Sequence, residues 1–183
     1  MKKLIDIIEN KTEEKESIST GFKQLDKLTQ GFRKSDLIYI GARPAMGKTT
    51  FAANLAENIA ATGKKCVFFS LDLSAEHLAK KFSTINSDIE IYIEDQPVIK
   101  VSEMKQKVVN LKYVDCVIID DFGLITPEIK RTARMQEGHD ISRDLKRMVK
   151  ELNIPVICTT SLPRQVDVDK HRPTLSSFLV YIV

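Results

Sequence analysis

A turn that ends in Gly47-Lys48-Thr49 is the segment of this sequence best suited to chemistry. It follows the apolar stretch 37–41 and precedes a helix-forming segment, which is the order strand, turn, helix. Backbone N–H groups at the start of a helix attract a phosphate anion, and Gly47 lets the backbone approach it closely. The Lys48 ammonium can reach the β- and γ-phosphates of a nucleotide, and the Thr49 hydroxyl can bind Mg²⁺.

This turn matches the phosphate-binding pattern G-x-x-x-x-G-K-[ST], except that Ala42 stands at the first glycine position, directly after Gly41. The sequence therefore predicts ATP and Mg²⁺ as cofactors. We expect the nucleotide to be held by Ala42, Arg43, Pro44, Ala45, Met46, Gly47, Lys48, Thr49 and Thr50. The alternative is an ordinary strand–turn–helix connection with a chance Gly-Lys-Thr, but the flanking strand and helix argue against it.

Two acidic residues follow other apolar stretches. Asp120 ends one of them, which predicts a carboxylate that binds Mg²⁺, directly or through water, together with Thr49. Asp72 follows the stretch 65–71, and the carboxyl ends of parallel strands meet at one edge of a sheet. We therefore expect Asp72 to face the γ-phosphate as a general base. The alternative for Asp72 is an acidic residue at the start of the next helix, and the role of Asp121 is left open.

The elements that must position these side chains alternate along the chain. Predicted strands cover residues 37–41, 65–71, 89–93, 114–120 and 154–160, and predicted helices cover 49–61, 74–82, 101–111 and 137–152. Apolar strands that alternate with amphipathic helices predict an α/β fold, with a mostly parallel sheet flanked by helices on both faces.

Length and composition exclude several other classes of protein. The 183 residues supply one domain, and no apolar run approaches the ~20 residues of a membrane span. The N-terminus lacks the apolar core of a signal peptide, so we expect a cytoplasmic protein without membrane contact. A net charge of +3, from 28 Lys+Arg and 25 Asp+Glu, is too balanced to indicate nucleic-acid binding by itself. The dispersed Cys66, Cys116 and Cys158 predict buried free thiols.

The first residues form a separate segment. Residues 2–10 predict a short amphipathic helix, and a polar linker follows it, so we divide the chain into a linker segment, 1–17, and one domain, 18–183. A helix of this length is marginal alone. It either docks on another surface or packs against its own domain.

Several segments together resemble the C-terminal RecA-like ATPase domain of DnaB-type replicative DNA helicases. The most specific is 18–32, followed in order by 35–38, 42–49, 69–74, 91–97, 118–125, 141–146, 152–157 and 170–173. The resemblance covers about residues 18–175 and implies a RecA-like P-loop NTPase, normally a hexameric ring that moves along single-stranded DNA. The helix at 2–10 then resembles the linker helix that docks on a neighbouring subunit.

The sequence also departs from that family. Asp72 stands at the position of the family's catalytic glutamate, and Ser161 at that of its sensor glutamine, where we expect it to contact the γ-phosphate or a water. The stretch between the second and third strands is short, and the distal segment with the family's arginine finger is not recognisable. These departures argue against fast hydrolysis and processive unwinding more strongly than against nucleotide binding.

Two basic loops follow the strands that end near residues 120 and 160. In the resembling family such loops face the ring channel, and their cations can neutralise DNA phosphates. The candidate DNA-binding residues are Lys130, Arg131 and Arg134 in the loop 126–137, and Arg164, Lys170 and Arg172 in the loop 163–173. The alternative is a pair of solvated basic loops. The basic helix face of Arg143, Lys146, Arg147 and Lys150 is typical of solvated surface.

These observations predict an ATP-dependent DNA helicase-type motor domain that contacts single-stranded DNA during DNA replication. Its expected assembly is a homo-oligomeric, hexameric ring or a hetero-assembly with a full-length helicase. The alternative is a catalytically impaired helicase relative that binds nucleotide and joins or regulates such a ring. A RecA-like ATPase of another branch, such as a recombination or clock-type protein, is disfavoured by the segment 18–32.

Overall fold

A parallel β-sheet forms the centre of the protein. The computed structural model describes residues 17–82 and 89–162. The described strands are β1 (Ser17–Ile18), β2 (Phe32–Arg33), β3 (Leu37–Ala42), β4 (Cys66–Ser70), β5 (Ile91–Glu94), β6 (Cys116–Asp120) and β7 (Val156–Ser161). The last five form one sheet in the order β3-β7-β6-β4-β5, with every neighbouring pair parallel. All five carboxyl ends therefore lie at one edge.

Helices cover both faces of this sheet. The described α-helices are α1 (Lys23–Thr29), α2 (Lys48–Ala60), α3 (Ala75–Ala79), α4 (Val101–Leu111) and α5 (Arg134–Leu152), and all but α1 contribute to the cores on the two faces. Along β4, Phe68 packs with α2 on one face, whereas Val67 and Phe69 pack with α4 and α5 on the other. Every residue of β4 and β6 is buried, because helices lie on both sides of these central strands. The predicted α/β class with a mostly parallel sheet is confirmed.

The predicted and observed elements differ mainly at their ends. Helix α5 begins at Arg134, three residues before the predicted start, because the N–H groups of Gln136 and Glu137 both bond to the Ala133 carbonyl. The first residues of this helix are polar and do not follow the apolar period, so the pattern missed them. Helix α3 is shorter than predicted. The Ser74 hydroxyl accepts the His77 N–H at its start.

The segment before the main sheet forms a small unit that the sequence pattern did not predict. Strands β1 and β2 pair antiparallel, and α1 lies between them in sequence. The Asp26 carboxylate accepts the Thr20 N–H at 2.8 Å and the Ser19 hydroxyl at 2.7 Å. Phe22 stacks on Phe51 of α2, with 4.9 Å between ring centroids. This unit therefore packs against α2, the helix that follows the phosphate loop.

Close packing explains the glycine at position 21. Its φ is +76°, a backbone conformation that residues with a Cβ rarely adopt. A Cβ at this position would also lie 2.6 Å from the Asn58 side chain of α2. The Asn58 amide donates to the Thr20 carbonyl at 3.2 Å. A larger residue at Gly21 would push the small unit away from α2.

The three cysteines are buried and free, as predicted. Cys66 and Cys116 lie opposite each other on the neighbouring strands β4 and β6. Burial raises the pKa of the Cys158 thiol. Within the described part of the chain, no helix has both the length and the apolar character needed to cross a bilayer. The predicted helix 2–10 lies outside the described residues, so the division into linker and domain remains a prediction.

Candidate active site

The phosphate loop, residues 42–47, joins the end of β3 to the start of α2. The Met46 N–H donates to the Arg43 carbonyl at 3.3 Å and closes the turn. Ala45 and Gly47 have φ values of 61° and 82°. A Cβ at Gly47 would meet nothing within 4 Å, so this position favours glycine for its left-handed backbone rather than for space.

The start of α2 suits an anionic ligand. Its first turn contains no acidic residue, and no side chain of the described residues caps it. The first N–H groups of a helix lack intrahelical partners and carry the positive end of the helix dipole. Lys48 and Thr49 are the first two residues of this helix, so their donors lie beside those N–H groups. The arrangement fits a phosphate group.

Asp120 links the phosphate loop to the neighbouring strand. It ends β6, and its side chain is buried, with the residue 1% exposed. One carboxylate oxygen accepts the Thr49 hydroxyl at 2.6 Å, and the other accepts the hydroxyl of Thr159 on β7. The Thr49 hydroxyl and the Asp120 carboxylate therefore place oxygen ligands side by side. Mg²⁺ binds through one or two protein ligands plus phosphates and waters, and this pair fits that requirement.

Asp121 lies next to the other phosphate-loop side chain. Its Oδ2 accepts the Ser161 hydroxyl at 3.1 Å and lies 4.0 Å from Lys48 Nζ, and its Oδ1 accepts the Gly123 N–H at 2.7 Å. The side chains of Lys48 and Asp121 are 13% and 17% exposed. Burial raises the pKa of the Asp121 carboxyl, although the bonds from Gly123 and Ser161 and the charge of Lys48 oppose this shift.

Asp72 lies at the same edge of the sheet, in the turn after β4. The Ser70 hydroxyl donates to the Leu73 carbonyl at 2.7 Å, and the Leu71 N–H donates to the Asp120 carbonyl at 2.7 Å. Asp72 itself is exposed. Its carboxylate has no hydrogen bond or ion pair with any other described residue. The turn therefore brings Asp72 to the expected edge, where no hydrogen bond or ion pair joins it to Lys48 or Thr49.

Ser161 lies directly beside the phosphate loop. It is the last residue of β7 and pairs in register with Ala42, the first residue of the loop. The next residue, Leu162, donates its N–H to the Ala42 carbonyl at 3.0 Å. Ser161 therefore lies next to the phosphate loop, and its hydroxyl donates to the Asp121 carboxylate. Its expected contact with the γ-phosphate or a water remains a prediction.

The first basic loop is folded back on α5. The Arg131 N–H donates to Glu137 at 2.9 Å, and the Arg131 guanidinium donates to Asp140 at 3.0 Å. Lys130 is exposed, and Arg134 belongs to the first turn of α5 rather than to the loop, which corrects the predicted boundary. The three cations are near one another in sequence, but they occupy different environments.

A cavity of about 370 Å³ lies between the carboxyl ends of β6 and β7 and the start of α5. Its lining includes Asp121, Phe122, Arg134, Glu137 and Ser161. It therefore connects the Asp121–Ser161 pair with one of the candidate DNA-binding residues. The other three candidates, in the loop 163–173, lie outside the described residues.

The basic side chains on the exposed face of α5 make ion pairs and hydrogen bonds with other residues of the same chain. Arg143 pairs with Asp140, Arg147 pairs with Asp144 at 3.2 Å, and Lys146 lies 3.4 Å from a backbone carbonyl. These contacts agree with the interpretation of this face as solvated surface.

Comparison with known protein families agrees with this geometry. Residues 17–91 and 80–179 match the family described as the DnaB-like helicase C terminal domain. The chain belongs to this family. The resemblance found in the sequence is therefore confirmed.

Relatives and solved structures support the same assignment. The chain is 35% identical over 196 residues to the replicative DNA helicase DnaB of Geobacillus stearothermophilus and 34% identical to the replicative DNA helicase DnaC of Bacillus subtilis, and each match spans 89% of this chain. One solved structure, described as an ATPase domain, superposes with a TM-score of 0.82 at 26% identity, over 97% of this chain and 75% of that one. A DnaB-like replicative helicase, described with its interactions with primase, superposes with a TM-score of 0.83 at 26% identity, over 98% of this chain and 51% of that one.

The DnaB-like domain has the RecA-like ATPase fold of these structural neighbours. It spans 43% of the length of each of the two curated relatives.

Sequence reasoning left two residues of this DnaB-like domain without a role. Thr159 gave no signal, because a threonine inside an apolar strand fits a buried sheet. Asp121 carried a weak signal, since an aspartate two residues before a glycine is typical of a turn in which the carboxylate accepts the glycine N–H. That bond is present with Gly123 and fixes the direction of the carboxylate.

Proposed function

We propose that this DnaB-like domain is an ATP-dependent helicase-type motor that hydrolyses ATP and contacts single-stranded DNA during DNA replication. The observation that carries the proposal is the Thr49 hydroxyl 2.6 Å from the Asp120 carboxylate, with Lys48 beside it at the start of α2. Relatives that are named replicative DNA helicases support the same activity.

Each residue of the site has a separate role in the proposed phosphoryl transfer. The N–H groups of the loop 42–47 and the Lys48 ammonium bind the phosphates. Thr49 and Asp120 would hold Mg²⁺, which neutralises charge on the phosphate oxygens. Asp72 is the proposed general base, because its exposed carboxylate lies at the same edge and is open to water. Ser161, at the end of β7, is placed to contact the γ-phosphate or a water.

The proposed assembly is a hexameric ring of this chain or a ring shared with a full-length helicase. Single-stranded DNA would contact the loops after β6 and β7, through Lys130, Arg131 and Arg134 and through Arg164, Lys170 and Arg172. The helix predicted at 2–10 would dock on a neighbouring subunit. We propose a cytoplasmic location, in keeping with this replication role.

The alternative function is that of a relative that binds nucleotide without hydrolysing it and that joins or regulates a full-length helicase ring. No observation favours it over the motor function, although the Ser161 hydroxyl donates to Asp121 in this structure.

DNA-stimulated ATP hydrolysis by the wild type and by Lys48→Ala tests the first proposal. We expect measurable turnover in the wild type and a loss of about 100-fold or more in Lys48→Ala, since the lysine stabilises charge on the transferred phosphate. The matched control is Lys105→Ala, a half-buried lysine of α4 that pairs with Glu151 away from the phosphate loop. ATP binding without turnover, with or without DNA, would favour the second function. Absence of ATP binding would contradict both.

The DNA contact is tested separately. Replacement of Lys130, Arg131 and Arg134 by Ala should weaken single-stranded DNA binding and flatten its dependence on salt concentration, because fewer phosphates are neutralised. The control replaces Lys146, Arg147 and Lys150 of the basic α5 face. An unchanged salt slope in the first variant would remove this loop from the DNA-binding surface.

A further inference from the structure

Two consecutive carboxylates of the site each join the start of α2 to β7. Asp120 lies between the hydroxyls of Thr49 and Thr159, and Asp121 lies between the Lys48 ammonium and the Ser161 hydroxyl. The first connection consists of hydrogen bonds at both ends. The second ends in a gap of 4.0 Å between Asp121 Oδ2 and Lys48 Nζ, which is longer than a hydrogen bond.

The gap leaves Lys48 attracted to Asp121 without being bonded to it. Both side chains are less than one-fifth exposed, so solvent screens their attraction less than it screens a surface pair. The carboxylate is held in place by Gly123 on one oxygen and by Ser161 on the other. Asp121 therefore cannot turn towards Lys48 without losing the bond from Ser161.

We propose that Asp121 is a positioning residue that holds the Lys48 ammonium beside the phosphate loop and competes for it with nucleotide phosphate, while Ser161 restrains this competition. The inference rests on the proposed function, because it requires a nucleotide phosphate at Lys48. A nucleotide phosphate that binds Lys48 must draw the ammonium away from the Asp121 carboxylate. The phosphate is itself negative, so the same carboxylate repels it as it approaches. Asp121 thus sets the affinity of the loop for nucleotide, and Ser161 sets how strongly Asp121 acts.

The test is a double-mutant cycle on ATP affinity, measured with a fluorescent ATP analogue and Mg²⁺. Asp121→Asn removes the competing charge and should tighten binding about fivefold, the size of effect expected for a poorly solvated ion pair. Ser161→Ala frees the carboxylate oxygen to approach Lys48 and should weaken binding about twofold. In the Asp121→Asn background, Ser161→Ala should weaken binding less than it does in the wild-type background, because the charge that Ser161 restrains is gone. A residue with only a structural role would not tighten binding when its charge is removed.

Two further variants complete the test. Asp121→Glu keeps the negative charge and should bind the analogue no more tightly than the wild type. Asp115→Asn, whose carboxylate pairs with Lys64 away from the site, is the matched control and should leave affinity unchanged. Thermal unfolding of each variant identifies any loss of folded protein, and affinities are compared per folded molecule.

The outcomes separate this inference from the proposed function. If the wild type does not bind the analogue, or binds it as well after Lys48→Ala, the proposed function fails. If binding depends on Lys48 but Asp121→Asn binds equally or more weakly, only the role of Asp121 is wrong. Equal tightening by Asp121→Asn and Asp121→Glu would also overturn it, because the charge would then not be the cause.

Discussion

Asp121 and Asp140 lie in two regions of the molecule, and each has a basic side chain beside it. The pKa values of the two carboxyl groups nevertheless shift in opposite directions. At the phosphate loop, burial raises the pKa of Asp121 even though Lys48 lies 4.0 Å away. On the loop side of α5, the bond from Arg131 lowers the pKa of Asp140, and the charge of Arg143 acts in the same direction. Loss of solvent around the carboxylate dominates in the first region, and the hydrogen bond from the Arg131 guanidinium dominates in the second.

The difference shows how each region holds its residues. The phosphate-loop region is fixed by hydrogen bonds to carboxylates that have little contact with water, as in the pair of Thr49 and Asp120. The loop region is held by ion pairs on exposed side chains, such as Arg131 at 42% exposure. Such pairs contribute little stability and weaken with salt. The first region is suited to precise positioning, and the second can rearrange around a flexible ligand.

The largest effect is expected from Asp120→Asn, which removes a charge from the better fixed region. The amide keeps the shape of the side chain, but it cannot neutralise Mg²⁺ or accept hydroxyl bonds on both of its polar atoms. We expect ATP turnover to fall about 100-fold or more. The measurement is turnover as a function of Mg²⁺ concentration, with Asp115→Asn as control. Unchanged turnover and Mg²⁺ dependence would show that Asp120 has only a structural role.

A smaller effect should follow from Thr159→Val, which tests whether burial gives the hydrogen bonds of this region their strength. The change preserves shape but leaves one oxygen of the buried Asp120 without its hydroxyl donor. We expect a loss of about 1–3 kcal/mol in the free energy of unfolding, measured by urea denaturation. Thr29→Val, on the exposed side of α1, should change stability by less than about 0.5 kcal/mol. Equal losses of unfolding free energy in Thr159→Val and Thr29→Val would show that burial does not strengthen the hydrogen bonds around Asp120.

The smallest effect is expected from Asp140→Asn in the loop region. Because the pKa of Asp140 is lowered, its pair with Arg131 is present at neutral pH and is lost only as the pH falls through that lowered value. Removing the carboxylate charge frees Arg131 for DNA phosphates and should raise single-stranded DNA affinity about two- to fivefold, with a steeper salt dependence. The control is Asp144→Asn, one turn further along α5. Weaker DNA binding after Asp140→Asn would mean that the folded-back loop is the binding conformation.

Much of the fold could be predicted from the sequence because its signals are local. The apolar runs of β4 and β6 and the amphipathic period of α4 and α5 each lie within one segment, and the structure contains all of them. The unit around α1 was missed, because its stability comes from Asp26 bonds across a turn and from packing on α2 rather than from an apolar period.

The sequence by itself determined the phosphate loop, since a strand, a turn ending in Gly47-Lys48-Thr49 and a helix are contiguous and their geometry is set by the backbone. The tertiary structure alone decided which side chains meet at the loop. Thr49 and Asp120 are 71 positions apart, Asp120 and Thr159 are 39 apart, and Asp121 and Ser161 are 40 apart. These pairs form because the strand order places β6 beside β7 and β7 beside β3. That order depends on how all the strands and helices pack together, which no single segment specifies.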